Sequence, residues 1–378
     1  MTGRGPHTID EFVGAFSEEP GYLDFARFGP VGNAVTSEQQ AQTEALSRAR
    51  FGSLDVAFDQ DLRVRTAVAE LIGFPAEQVS FQPNTSVGLM HTMFGSSGVV
   101  AMSPAEFPSL PYAATRASDA LDRLQIRWLE TEYGRVTPGT VRDQLSDDIT
   151  AVAVSLVDFR TGYLADLEGI RQVIGDRMLI VDAVQGFSVI DAPWAVADVI
   201  VSGGQKWARA GHGTGFLALS ERASEQLDPV LSGWVADDGE MPLDEVREVV
   251  RGAAAFRITH PDPLDQACFA AALEDVAAVS VGAISAAVAQ RVDQVIALAD
   301  EFGIPVVSPR DVGERAGIVV LAPPAEHSTV LTASLFNHGV TVTARSGTVR
   351  LSVHASTDDE TLQMLRGAFA SYLSATNV

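Results

Sequence analysis

The sequence predicts an α/β protein: a large domain on a mostly parallel seven-stranded sheet, followed by a smaller α+β domain. Three observations carry that expectation. Seven short, apolar, β-branched runs recur through the first two-thirds of the chain. Most are separated by helical patterns, which parallel strands need as crossovers. After about residue 250 the pattern changes to long alanine-rich helices.

In chain order, residues 1–20 form an N-terminal helix or arm, 21–250 the large domain and 251–378 the small one. The predicted strands are VSFQ (79–82), GVVAM (98–102), QIRWL (125–129), TAVAVSL (150–156), MLIVD (178–182), DVIVS (198–202) and GFLALS (215–220). Patterns such as DLRVRTAVAELIGF, SLPYAATRASDALDRL and DLEGIRQVIGD fill gaps between runs, implying a sheet covered on both faces. The last two runs are too close for a helical crossover, so one of them is antiparallel or distant in the sheet. Beyond them come helices over roughly 264–300, strands GIVVLA (317–322), VTVTA (340–344) and TVRLSV (348–353), and a closing helix 358–373.

The net charge of −23 argues against a nucleic-acid or anionic-membrane partner, because a phosphate surface would be repelled. Cys268 is the sole cysteine, which excludes an intrachain disulfide and thiolate-rich metal sites; no metal centre is expected. The N-terminus lacks the basic start and apolar run of a signal peptide, and no uncharged apolar stretch is long enough to span a bilayer. A cytoplasmic location is the default expectation.

One residue stands out. Lys206, in SGGQKWARAGHGTGFL, is the only lysine among the 26 Lys+Arg. A bias that swaps lysine for arginine wherever only charge matters acts as a substitution scan. A lysine that survives it does something a guanidinium cannot.

In an open parallel sheet, ligands bind at the carboxyl ends of the strands. Asp182 closes MLIVD there, with Gln185 one turn beyond, and Lys206 follows the next run. VSFQ leads into Asn84, Thr85 and Ser86, which open a helix suited to a phosphate. Taken singly, an aspartate at a strand end is usually a cap, and NTS before a helix is usually the same. Together, a lysine, a carboxylate and a phosphate cradle match the needs of pyridoxal phosphate. Its aldehyde condenses with an amine, and its ring nitrogen keeps a proton beside a carboxylate.

These motifs resemble the class V aminotransferase family of fold-type-I pyridoxal-phosphate enzymes, which includes cysteine desulfurases, kynureninase-like hydrolases and isopenicillin-epimerase-like proteins. GYLDFARFGPVG is similar to the family's N-terminal segment, and AVAELIGFPAEQVSFQPNTSVGL to its phosphate-binding strand, turn and helix. The resemblance implies that Phe107 of EFPS stacks on the cofactor ring. It places Asp158 of VDFRTG near the ring hydroxyl, where asparagine is common. From VDAVQG and GGQKW it implies Asp182 at the pyridinium, Gln185 near the ring oxygen and Lys206 as the Schiff-base lysine. Arg350 of TVRLSVHAST becomes the clamp for a substrate carboxylate, with Arg345 as a second candidate.

There are departures. Gly203 and Gln205 stand where serine and histidine are common before the lysine, leaving Ser202 or Ser86 to supply a phosphate hydroxyl. AFRITHPDP gives His260 or Thr259 the role of a partner-subunit phosphate contact. RSGTVRLSV carries no cysteine where one desulfurase branch has its sulfur-accepting thiol, which argues against desulfuration. The implied protein is a homodimeric class V aminotransferase acting on an amino acid or keto acid. The alternatives are a kynureninase-like hydrolase or C–S lyase, and a catalytically silent pyridoxal-phosphate-binding protein.

Overall fold

The structure is a computed structural model that describes residues 8–48, 50–52, 57, 59–236 and 244–376. Its large sheet contains β1 Val79–Phe81, β2 Gly98–Met102, β3 Leu124–Trp128, β4 Ile149–Ser155, β5 Met178–Asp182, β6 Val199–Gly203 and β7 Gly215–Leu219. Each of the seven predicted strands is present. Their spatial order is β1-β7-β6-β5-β4-β2-β3. Only β7 runs against the others, pairing antiparallel with both β6 and β1. The short link between β6 and β7 leaves no length for a crossover, so the chain must turn back.

The central strands β5, β6 and β7 are buried at every position. That explains why they read as continuous apolar runs instead of alternating ones. Alternate residues face opposite layers. Ile180, Val199, Val201 and Leu217 join Leu89, Met93 and Leu110 from the helices Thr85–Gly95 and Ser109–Leu121. Leu179, Val181 and Ile200 join Ile170 and Ile174 of the helix Leu167–Ile174 on the other face. The edge strand β3 exposes Trp128, consistent with its mixed composition.

The smaller sheet consists of β8 Ile318–Leu321, β9 Thr343–Arg345 and β10 Thr348–Ser352, antiparallel in the order β8-β10-β9. The expected strand over 340–344 is displaced toward Arg345 for a definite reason. Thr341 bridges to Tyr22 of the N-terminal segment and exchanges backbone hydrogen bonds with Gly21 and Leu23. Asp24 likewise bridges to Ser352. Residues 21–24 therefore line the small sheet.

Ser280, at φ 75°, separates the helices Pro263–Val279 and Val281–Glu301. The first packs on the helices Asn33–Ser47 and Gln60–Ile72. The second is long and apolar enough by composition to cross a bilayer. Its residues Ile284, Val288, Val292 and Val295 are instead buried, in contact with β8 and the closing helix Asp359–Thr376.

Arg209, just beyond the lysine loop, locks the N-terminal arm. Its side chain is buried at φ 57°, pairs with both oxygens of Glu18 and donates to the Pro30 carbonyl and Ser356 Oγ. The guanidinium carbon lies 3.6 Å from the Phe16 ring centroid. Removing one member of such a pair leaves the other charge unsatisfied, at a cost of about 3 kcal/mol. Arg209→Ala should lower stability by that order in urea unfolding followed by fluorescence. Adding Glu18→Gln to it should cost little more, because the two share one interaction.

Candidate active site

Parallel strands end on one edge of the sheet, and that edge assembles the polar groups. β5 ends at Asp182 and β6 leads into Lys206. Register pairs Asp182 with Val201 of β6 and with Ser155 of β4, so the three strand ends lie side by side. Turns after β1 and β2 bring Asn84 to Ser86 and Glu106 to Ser109 to the same edge.

Lys206 is 8% exposed. Burial pulls its amine down to about 8; Arg350 and Arg345 push the same way, and Asp182 opposes them. Its Nζ stands 5.3 Å from the centroid of the Phe107 ring. Phe107 is held edge-on by Phe159, with ring centroids 5.2 Å apart.

Asp182 is 2% exposed, and burial raises its carboxyl to about 6, against the Val184 N–H and Lys206. Val184 N–H donates to Oδ1 at 3.1 Å, while Oδ2 is buried without a hydrogen-bond partner. Thr85 Oγ1, Ser202 Oγ and Gln205 Oε1 are also buried and unpartnered. A Cβ built on Gly203 would lie 2.3 Å from Gln205 Oε1 and 2.8 Å from Thr85 Oγ1, so those groups converge on one point. A side chain at residue 203 would fill it, which accounts for glycine there.

Beside them the helix Thr85–Gly95 begins. Asn84 Oδ1 caps it by accepting from Val87 N–H at 3.0 Å, and its first internal bond is Gly88 N–H to the Asn84 carbonyl. That leaves the N–H groups of Thr85 and Ser86 outside the helix's own bonding and open to an anion. Ser86 is exposed and shares a 2.7 Å hydrogen bond with Ser109, the first residue of the next helix.

Three further predicted residues have structural partners in this geometry. Gln185 has both ends of its amide engaged: Nε2 donates to the Ala26 carbonyl at 2.9 Å, and Oε1 accepts from Trp207 Nε1 at 3.0 Å. It ties the N-terminal segment to the lysine loop. Asp158 Oδ1 accepts from the backbone N–H groups of Arg160 and Thr161 and from the Thr161 hydroxyl, closing a turn. His260 is exposed and packs edge-on against Trp234 at 4.9 Å.

Arg350 and Arg345 line a cavity of about 880 Å³ together with Trp128, Tyr133, Phe159 and Arg160. Arg350 reaches it from β10, buried, with Nη1 donating to the Phe159 carbonyl at 3.1 Å. Arg345 is exposed at the end of β9.

Sequence reasoning passed over two contributors. Glu106 sits beside Phe107 in the EFPS segment; it is buried and accepts from Ser155 N–H at 3.2 Å. Burial, with Asp182 and Asp158 nearby, raises its carboxyl to about 7. Gly29 donates its N–H to the Gln205 carbonyl at 2.9 Å. A Cβ there would lie 1.9 Å from the Lys206 carbonyl oxygen, so only glycine lets the arm lie against the lysine loop. The available signal was the glycine in FGPVG.

The sequence model described as Aminotransferase class-V matches residues 54–378. A kynureninase from Deinococcus radiodurans is 27% identical over 293 residues, covering 74% of this chain and 69% of that protein. Among solved structures, the apo cysteine desulfurase of Thermococcus onnurineus superposes with a TM-score of 0.83 at 21% identity, covering 94% of this chain and 95% of that one. A mutant of C-DES with glycine covalently linked to its PLP cofactor gives 0.86 at 15% identity, over 96% and 99% of the two chains. The chain belongs to the class-V aminotransferase family and has the fold-type-I architecture of pyridoxal-phosphate enzymes, and that membership implies this cofactor.

Proposed function

We propose that this chain is a pyridoxal-phosphate enzyme that acts on an amino acid through Lys206. The carrying observation is a buried amine that feels the charge of Asp182, whose Oδ2 is an acceptor without a donor, with unpartnered hydroxyls near a helix start. Those orphan atoms fit the cofactor's parts. Asp182 Oδ2 would accept from the ring N–H. Thr85, Ser202 and the first N–H groups of the helix Thr85–Gly95 would donate to the phosphate. Gln205 joins them with its amide turned to present nitrogen, an orientation exchangeable by a simple flip. Phe107 offers the ring a flat apolar wall.

When bound, the cofactor supplies an electron sink for negative charge formed at the substrate's α-carbon. The chain's own residues do the remainder. Lys206, lowered by burial, is partly neutral near pH 8 and serves first as nucleophile, then as base at the α-carbon. Asp182 stays ionised beside a cationic partner and keeps the ring nitrogen protonated. Arg345 and Arg350 draw the substrate carboxylate to one side of the cavity.

Transamination needs one mobile proton carrier, which Lys206 provides, and a class V aminotransferase is the first reading. The cavity favours a second. Its volume of about 880 Å³ and its Trp128, Tyr133 and Phe159 lining exceed what a small side chain needs. They suit the cleavage of a bulky aromatic side chain by a kynureninase-like hydrolase or a C–S lyase. A homodimer belongs to this reading as an expectation from the family.

Products separate the readings. A keto acid with amine left on the cofactor marks an aminotransferase. Release of alanine, pyruvate or sulfide marks a hydrolase or lyase. Spectral change without product marks a silent binder.

Borohydride reduction of the loaded protein should fix the cofactor's mass on the peptide containing Lys206, and Lys206→Ala should lose both that adduct and the visible absorbance. Because only the neutral amine attacks, the rate of loading should rise with pH through about 8 and then level off. An ordinary lysine would keep rising toward 10.5. Stopped-flow absorbance from pH 6 to 10 measures the difference.

A further inference from the structure

Arg350 does not meet the cavity as a bare cation. Its Nη2 lies 3.5 Å from Asp24 Oδ1 and donates to Thr343 Oγ1 at 3.3 Å. The Thr343 hydroxyl in turn donates to Asp24 Oδ1 at 2.7 Å. Both charged side chains are buried, 9% exposed for Arg350 and 3% for Asp24. Asp24 is held in place by backbone pairing. Ser352 N–H donates to the Leu23 carbonyl, and Ala26 N–H to Ser352 Oγ, each at 2.8 Å. Arg345 differs. It is exposed, it has no ion pair among the described residues, and its charge reaches both Lys206 and Arg350.

We infer that Asp24 is a specificity-determining counter-ion: it neutralises Arg350, leaving Arg345 to supply the net positive charge that selects a substrate carboxylate. This rests on the functional reading above for the site's location. The group Arg345, Arg350 and Asp24 carries a net charge of about one, which an incoming carboxylate balances. Arg160, on the same cavity, is paired with Asp158, and Glu130 of the lining is exposed to solvent, which screens it. Without Asp24 an uncompensated cation would stay buried in the empty protein, which is costly. Asp24 therefore exchanges anion affinity for a stable resting site. It acts through Arg350 and is a positioning residue.

The test uses calorimetric titration of the holoprotein with 3-phenylpropionate, an inert carboxylate with an aromatic tail, and its uncharged amide as control. Asp24→Asn keeps the shape and can still accept from Thr343. It should tighten carboxylate binding by about tenfold and leave the amide unchanged. Arg345→Gln should weaken carboxylate binding by a similar factor, and the double variant should return near the parent. A purely structural role for Asp24 would give weaker binding of both probes. Unchanged or weaker carboxylate binding in folded Asp24→Asn overturns the inference. So does parental affinity in Arg345→Gln, which decides alone if Asp24→Asn does not fold. Titrations need no turnover and can be read with or without cofactor. Failure to load cofactor counts against the functional reading; unmoved affinities count against this one.

Discussion

One buried amine facing one buried carboxylate is the constraint on which the site depends. Ionised groups removed from water are costly unless they are paired and hydrogen-bonded. Here the pairing is half complete: Lys206 and Asp182 feel each other, yet Asp182 Oδ2 has no donor. A third party that brings a proton to Oδ2 and takes the amine relieves both costs at once. The sheet makes the arrangement possible, because parallel strands in fixed register set Asp182 beside β6 and project both loops the same way.

The N-terminal segment forms the other wall. Glu18 is held by Arg209, Asp24 by Thr343 and Arg350, Ala26 by Gln185, and Gly29 by the lysine loop itself. Each of these contacts joins the arm to an element carrying a candidate functional residue. Order in the arm and geometry at Lys206 are therefore coupled. A loss of packing at Phe16 or Glu18 would reach the amine through Arg209, which lies only three residues beyond it. The buried Glu106 adds a constraint of its own. Buried, and close to Asp182 and Asp158, its carboxyl is raised to about 7, so it is about half neutral near that pH. That limits the negative charge accumulated at the strand ends.

Much of this was legible in the sequence for two physical reasons. The central strands, buried on both faces, leave uninterrupted apolar runs, and the seven were recognisable close to their observed ends. Lys206 and Asp182 were legible because an unusual residue type met a strand terminus. What stayed hidden depends on contacts between distant parts of the chain. That Gln185 also ties Ala26 to Trp207 cannot be read from VDAVQG. That Asp158 also closes its own turn through Oδ1 is equally hidden in VDFRTG. Asp24 and Arg350 lie near opposite ends of the sequence and meet only because the arm adds to the small sheet. The shortening of the predicted strand over 340–344 has that same cause.

The chain's charge sharpens the role of these arginines. A net charge of −23 surrounds the molecule with a field that repels an amino-acid or keto-acid carboxylate. Salt screens much of that field over about 10 Å, so attraction has to be generated locally. Arg160, Arg345 and Arg350 line the same cavity, and two of them are tempered by an aspartate, Arg160 by Asp158 and Arg350 by Asp24. Arg345 alone is left without an ion pair among the described residues. On an acidic protein, the smallest change in that local balance decides whether an anion is drawn in or turned away. On the proposed function, the charge of that lining would then govern which carboxylates approach Lys206, whose amine feels both Arg345 and Arg350.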